Sequence, residues 1–267
     1  MSKNFEITAY AENSSARTGV IHTEHGPIKT PAFAPVGSQG TIKALPHSLV
    51  ETLGAQLILV NAYHLYLRPG LETFKKLKGI HSFISWPKPI LSDSGGFQIY
   101  SLSSLVKVKK DGVMFSSHLD GTKIFLTPED VVDIQLTLGT DIMMPLDHFV
   151  PYPSSRERLK EAAGLTTSWA KRSREHFLKQ ESSNQLWGIC QGGTEWDLRK
   201  ESIEELININ FDGYALGGQG IGESKAQFMK VVEKSCTLLP KEKPRYLMGI
   251  GYIKDILEAV DKGVDFF

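Results

Sequence analysis

Carboxylates, an amide and closely spaced glycines recur along the chain, and their types define a chemistry before any fold is considered. The stretch Leu91-Ser-Asp-Ser-Gly-Gly-Phe-Gln98 sets Asp93 and Ser94 beside Gly95 and Gly96, with the flat ring of Phe97 next. Adjacent glycines have no Cβ to hold a ligand away from the backbone. A carboxylate, open backbone and an aromatic in succession suit a planar, hydrogen-bonding ligand such as a nucleobase. The competing reading is that Asp93 or Ser94 only caps a helix. Further along come Asp147 with His148, Gln191 before Gly192 and Gly193, Gly217-Gly-Gln-Gly220, and Met248-Gly-Ile-Gly251. Singly, His64 and His148 read best as structural histidines. Cys190 precedes Gln191, so strand alternation turns it away from whatever Gln191 faces, which makes it a core thiol.

Each of these groups ends a short apolar run, and the runs recur with helix-length segments between them. They are Ala32-Phe-Ala-Pro-Val, Leu57-Ile-Leu-Val-Asn, Pro89-Ile-Leu-Ser-Asp, Asp141-Ile-Met-Met-Pro-Leu-Asp, Leu186-Trp-Gly-Ile-Cys-Gln, Gly213-Tyr-Ala-Leu-Gly-Gly and Arg245-Tyr-Leu-Met-Gly-Ile-Gly, and an eighth begins at Gly263. Helix signals lie over 46–53, 127–136, 154–180, 195–207, 224–239 and 253–260. Thr127 serves as N-cap with Pro128 in the first helical position. Apolar strands without alternation, separated by helices, predict a parallel sheet covered on its outer face. Seven repeats and an eighth begun predict an α/β fold of the TIM (β/α)8 barrel type, incomplete at the eighth strand. No G-x-G-x-x-G follows the first strand, which counts against a dinucleotide-binding sheet. Residues 5–29 predict a small N-terminal β entry, and Val106 to Ser116 alternates as a hairpin inserted after the third strand. The whole of 1–267 reads as a single catalytic domain. In such a barrel the carboxyl ends of the strands share one mouth, so the groups above would converge there.

Composition narrows the class. Thirty basic residues balance thirty acidic ones, so a nucleic-acid partner would need a local basic face and cannot be read from net charge. Two cysteines, Cys190 and Cys236, argue against a disulfide framework and fit a reducing cytoplasm. The N-terminus lacks the apolar core of a signal peptide, and no apolar run approaches the ~20 residues of a membrane helix. A cytoplasmic protein is expected. The basic run Lys171-Arg-Ser-Arg174 reads best as a solvated helix face.

Taken together, Ser92-Asp-Ser-Gly-Gly-Phe-Gln98, Ser117-His-Leu-Asp-Gly121, Leu126-Thr-Pro-Glu129, Gly188-Ile-Cys-Gln-Gly-Gly193, Tyr214-Ala-Leu-Gly-Gly218 and Tyr246-Leu-Met-Gly-Ile-Gly251 resemble the bacterial-type tRNA-guanine transglycosylases, or queuine tRNA-ribosyltransferases. The resemblance implies a barrel enzyme that replaces the wobble guanine of tRNAs with G-U-N anticodons by a 7-deazaguanine, through a covalent ribosyl–enzyme intermediate. It gives Asp93 the proton-exchanging role. It assigns the base to Ser94, Gly95, Gly96, Phe97, Asp147, Gln191, Gly217, Gly218, Gln219 and Met248. Asp147 would accept from the ring N–H and amine, Gln191 and the Gly218 N–H would donate to the carbonyl, and Phe97 and Met248 would sandwich the ring. Glu223 would brace the peptide after Gly218. Gly249, Ile250, Gly251, Tyr252, Ile253, Lys254 and Asp255 would lie along the RNA. A homodimer and a structural zinc ion, held by three cysteines and a histidine, are implied for the full-length family member.

The sequence departs from the family pattern in three ways. The nucleophilic aspartate would follow Phe267 directly, and the zinc ligands would follow later. The chain therefore reads as a C-terminally truncated member with no metal site of its own. Unpaired strand edges, poor solubility or self-association, and inactivity of the chain alone would follow. His148-Phe149 stands where many bacterial members have Glu-Cys, and Gln219-Gly220 replaces the usual Leu and small residue. Both lie where the 7-substituent of the base should sit, so 7-aminomethyl-7-deazaguanine and queuine both remain open as the incoming base. Two other readings stand beside this one. The first is a non-catalytic RNA-binding partner or paralogue, and the second an unrelated barrel enzyme acting on a small metabolite.

Overall fold

The computed structural model describes residues 4–102 and 104–267; Met1 to Lys3, where the signal-peptide expectation begins, lie outside them. The chain opens with an antiparallel sheet of β1 (Phe5–Tyr10), β2 (Arg17–Thr23) and β3 (Gly26–Thr30). The parallel core follows as β4 (Ile58–Asn61), β5 (Ile90–Asp93), β9 (Ile142–Met143), β10 (Gln185–Cys190), β11 (Gly213–Leu216) and β12 (Arg245–Leu247). These six are adjacent in chain order and pair in parallel throughout. Between β5 and β9 lies a second antiparallel sheet: β6 (Ser104–Lys109), β7 (Gly112–Ser116) and β8 (Lys123–Leu126). The expected hairpin thus gains a third strand.

Helices cover the outside of the core. α1 (His47–Thr52) precedes β4, and α2 (Ala62–Leu67), α3 (Leu71–Leu77) and α4 (Ile80–Ile84) precede β5. α5 (Gly96–Leu102) leads to the second sheet and α6 (Pro128–Leu138) returns to β9. α7 (Arg156–Phe177), α8 (Trp196–Ile209), α9 (Lys225–Leu238) and α10 (Ile253–Asp261) complete the alternation. α6 begins as its sequence dictates: Thr127 and Asp130 form a reciprocal capping box, with Pro128 next. No helix among the described residues is long and apolar enough to cross a membrane.

Two expected strands shrink for one reason. Ala32 to Val36 makes only the isolated bridges Ala32↔Phe266 and Val36↔Leu59. Of Asp141 to Asp147 only Ile142–Met143 is a strand. Both segments contain a proline, Pro35 and Pro145, which cannot donate to a ladder. The bridges have a consequence at the sheet edges, which were expected to stay open. Phe266 pairs with Tyr246 on one side and Ala32 on the other. Ala32 and Ala34 donate to the Asp265 and Phe267 carbonyls, and Leu59 donates to Pro35. The two edges of the six-stranded sheet are therefore joined through 265–267 and 32–36, which corrects the expectation of an unpaired eighth segment.

Alternation sorts the core side chains. Leu57, Leu91, Ile142, Met144, Trp187, Ile189, Ala215, Tyr246 and Phe266 fill the inside of the curled sheet, together with Phe5, Ile21 and Ile28 of the N-terminal sheet. Leu186, Cys190, Tyr214, Leu216 and Leu247 turn outward to α7, α8 and α9. The N-terminal sheet thereby plugs the end of the core where its strands begin. It is fixed by Arg17, whose Nε and Nη2 donate to the two Asp265 oxygens at 2.8 and 2.6 Å.

Candidate active site at the carboxyl ends of the strands

The same two-residue period that sends Leu91, Ile189, Ala215 and Tyr246 inward points Asp93, Gln191, Gly217 and Met248 into the open end. Ladder register brings them level. Asn61 pairs with Asp93, Cys190 with Leu216, and Leu216 with Leu247, so the residues that follow share one rim. They line a cavity of about 470 Å³ with Phe97, Asp147, Gly218, Gln219 and the Gly249 to Gly251 turn. The expected base-reading groups Asp93, Phe97, Asp147, Gln191, Gly217, Gly218, Gln219 and Met248 are thus brought together.

Ser94, Gly95 and Gly96 lie beneath this surface. The Ser94 hydroxyl accepts from the Gly96 N–H at 3.3 Å, so it shapes the turn. The two glycines were expected to admit a ligand, but their space is taken by protein. A Cβ on Gly95 would sit 2.3 Å from that of Tyr63, and one on Gly96 would sit 2.6 Å from Asp147 Oδ1. Gly217 and Gly218 do the same for Gln191, whose amide would lie within 2.9 and 2.6 Å of their added Cβ atoms. Gly96 thus makes room for the Asp147 carboxylate and Gly217 and Gly218 for the Gln191 amide, while Gly95 makes room for Tyr63 at the start of α2.

The polar groups are tightly coupled. Gln191 Nε2 donates to Asp147 Oδ2 at 2.8 Å, which presets both for a ligand edge. Burial, and after it the Asp93 charge, push the Asp147 carboxyl up to about 7, against the Gln191 amide that favours its charged form. Burial also pushes Asp93 up to about 6, against the Ser94 N–H that favours its charged form. Two carboxyls that titrate near neutrality in one cleft can exchange protons at little cost. Above them Phe97 is 48% exposed and meets Phe149 edge-on at 4.9 Å, leaving a ring face free for a stacked base. Phe149, in the position flagged by the family departure, therefore forms part of the wall.

Four placements refine or correct the expectations. Glu223 accepts from the Gly220 and Ile221 N–H groups at 2.6 and 3.0 Å. It braces the far side of the turn and not the peptide directly after Gly218. Gln219 donates to the Gly193 and Gly218 carbonyls, both at 2.9 Å, and so ties the β10 and β11 ends together. Asp255 pairs with Lys225, while Tyr252 and Ile253 are 81% and 75% exposed at the rim. Cys190 and Cys236 are buried with thiols pushed up to about 12, as a core role requires.

Sequence reading missed Arg199 of α8, which lies beneath the mouth. It is fully buried and faces no carboxylate at ion-pair distance among the described residues. Its guanidinium donates to the carbonyls of Gly193 at 3.0 Å, Cys190 at 3.1 Å and Gly217 at 3.0 Å. One turn on, the Ser202 hydroxyl accepts from the Gln191 N–H at 3.2 Å. α8 thus grips the backbone on both sides of Gln191 and the start of the Gly217–Gly218 turn. Burial lowers the Arg199 pKa to about 10, so it remains cationic at neutral pH.

A cysteine-rich zinc site does not fit these residues, because both thiols are buried in the core. A different group, His25, His81 and Asp141, offers ligand atoms within 4.8 Å of one another at the opposite end of the sheet. The two imidazoles stack at 3.5 Å and 13°, so their lone pairs lie in parallel planes and do not point at one ion. Asp141 is already engaged. Burial would raise its pKa, but the His81 ring 3.3 Å away and hydrogen bonds from the Ile90 N–H and His25 hold it at about 2.

Comparison with known proteins identifies a family. The family model for queuine tRNA-ribosyltransferase matches residues 12–267. The queuine tRNA-ribosyltransferase of Thermodesulfovibrio yellowstonii is 54% identical over 252 residues, 94% of this chain and 66% of that relative. Those of Nitratidesulfovibrio vulgaris and Rickettsia typhi are 52% and 49% identical, over 98% and 100% of this chain and 70% and 73% of theirs. The chain therefore spans about two thirds to three quarters of the length of these relatives.

Proposed function

The chain belongs to the queuine tRNA-ribosyltransferase family, a family of tRNA-guanine transglycosylase enzymes, and from that premise we propose that its mouth exchanges a guanine of tRNA for a 7-deazaguanine. The observation that carries the reading is the pairing of Asp93 and Asp147, both with raised pKa values, with Gln191 in one cavity beneath Phe97. In this reading the curled sheet, joined edge to edge, is a TIM barrel. A tRNA whose anticodon begins G-U is the substrate, and the base at the wobble position is drawn into the cavity.

Asp147, once ionised, accepts from the ring N–H and the amine of guanine, and Gln191 turns its amide to the carbonyl. The C1′–N9 bond breaks as a carboxylate oxygen takes C1′, and Asp93 supplies the proton to the leaving base. The incoming base returns that proton to Asp93 as its nitrogen attacks C1′ and frees the carboxylate. The resemblance gives that carboxylate to an aspartate of the family's eighth strand. A second cavity of about 260 Å³, reached past Gln191, Gly218 and Ile221 and lined by Tyr152, Glu195 and Glu223, leaves room for a polar 7-substituent.

The test is incorporation of labelled guanine into tRNA with a G-U-N anticodon, by this chain and by a version continued to the length of its relatives. Asp93→Asn is expected to lower exchange at least a hundredfold in whichever form is active. Exchange undiminished in that variant would remove Asp93 from the proton step. Exchange by neither form, with tRNA still bound, would favour the non-catalytic partner.

A further inference from the structure

The β6–β7–β8 sheet has two faces of opposite character. Val113, Phe115 and Leu126 turn inward and pack in one cluster with Tyr63 and Trp169. The register Lys107↔Met114↔Phe125, with Lys109 opposite Gly112 and Lys123 opposite Ser116, sends the remaining side chains outward. Lys107, Lys109 and Lys123 are exposed, and Phe125 lies among them at 40% exposure. The Lys109 ammonium sits 5.6 Å from the centre of the Phe125 ring.

None of these three lysines has a carboxylate at ion-pair distance among the described residues, and the nearest acids in sequence are engaged elsewhere. Asp111 faces Arg172 at 3.8 Å, and Asp120 accepts from Thr122 at 2.8 and 3.1 Å. The basic helix α7 is different: Arg156, Arg172 and Arg174 face Glu195, Glu129 and Asp212. In a chain whose net charge is zero, the sheet therefore carries a face of three lysines held in no ion pair, with an aromatic platform. That combination binds a nucleic-acid backbone and stacks a neighbouring base.

The sheet also stands next to the mouth. α5 starts at Gly96, under the cavity, and runs directly into it. A small cleft is lined by Gly96, Tyr100 and Phe149 on the mouth side and by Val106, Val108 and Trp169 on the sheet side. We propose that the outward face of β6–β7–β8 docks the phosphodiester backbone of the tRNA flanking the nucleotide held in the mouth. The inference rests on the base-exchange reading for the identity of the RNA, and on the lysine face for its location.

The experiment measures tRNA affinity against salt for the chain, for K107Q/K109Q/K123Q and for the charge-keeping K107R/K109R/K123R, with guanine affinity measured alongside. The triple glutamine variant is expected to bind tRNA at least tenfold more weakly. Its slope of log affinity against log salt should be shallower by about 2–3, since each lost phosphate contact removes about 0.7–0.9. The arginine variant should behave as the parent, and guanine affinity should be equal in all three. An unchanged affinity and slope in the glutamine variant, or no tRNA binding by the parent chain, overturns the docking face. Intact tRNA binding with no guanine binding would overturn the base-exchange reading and leave the face standing.

Discussion

Asp93 and Asp147 are carboxyls that the fold holds partly protonated near neutrality. Each keeps its proton to higher pH when folded than when unfolded. The native state therefore binds more protons between about pH 4 and 7, and stability falls as pH rises through that window. Base recognition has the opposite sign, because Asp147 accepts hydrogen bonds best as an anion, so guanine affinity should rise as pH passes about 7. Asp147→Asn is expected to melt a few degrees higher than the parent at pH 8, with little difference at pH 4. It should also lose at least tenfold in guanine affinity, the equivalent of about 1.5–3 kcal/mol for a hydrogen bond to a charged group. Melting curves and calorimetric guanine titrations at both pH values check the pair of effects. A guanine affinity flat with pH would mean that Asp147 is not the acceptor.

At the scale of elements, α8 is the support on which the β10 and β11 ends are positioned. Arg199 touches no ligand surface and acts through the Cys190, Gly193 and Gly217 carbonyls, which makes it a positioning residue. Arg199→Met leaves those buried carbonyls short of donors and should destabilise by about 2–4 kcal/mol. A loss of packing alone would leave the mouth intact in the folded fraction. Positioning predicts more: guanine affinity should fall at least fivefold at a temperature where the variant is still fully folded. A comparably destabilised variant whose side chain does not line the cavity, Asp265→Asn, should keep parental affinity. Equal guanine affinity in both would reduce Arg199 to a structural role.

Element by element, legibility followed the range of the determining interactions. Thr127, Pro128 and Asp130 announce α6 within four residues, and the segments predicted around α7, α8 and α9 begin and end close to where those helices do. The site was legible because strand ends carry their polar residues at a fixed place in each repeat, so Asp93, Asp147, Gln191 and Gly218 could be named from spacing and resemblance. The three short helices α2, α3 and α4 carry weak periodicity and were not foreseen. Arg199 and the His25–Asp141 contact were illegible because partners 18 and 116 residues apart meet only after the sheet has curled. Pro35 and Pro145 were visible, but their effect on two strands was not drawn from them.

On the scale of the whole molecule, the sheet's two edges meet at Phe266, and Arg17 and Asp265 lock the N-terminal plug to that seam. Asp265 also accepts from the Arg245 N–H at 2.8 Å, so its carboxylate ties β2 to β12. Removing one partner of a buried ion pair costs about 3–5 kcal/mol. Asp265→Asn should accordingly lower the urea midpoint sharply, and a shift below about 1 kcal/mol would show that the seam is not a keystone of stability.

Arg17 and Asp265 are 248 residues apart along the chain, which has a consequence for how the protein is made. At about 5–20 residues per second, a ribosome delivers Asp265 roughly 10–50 s after Arg17. Throughout that interval the plug lacks its anchor, and the inside face of the sheet, from Leu57 to Tyr246, has no closing partner. A nascent chain of this design spends most of its synthesis with apolar surface open to the cell. Its yield should therefore depend on the chaperones that shield such surface at the ribosome more than on its stability once the seam has formed.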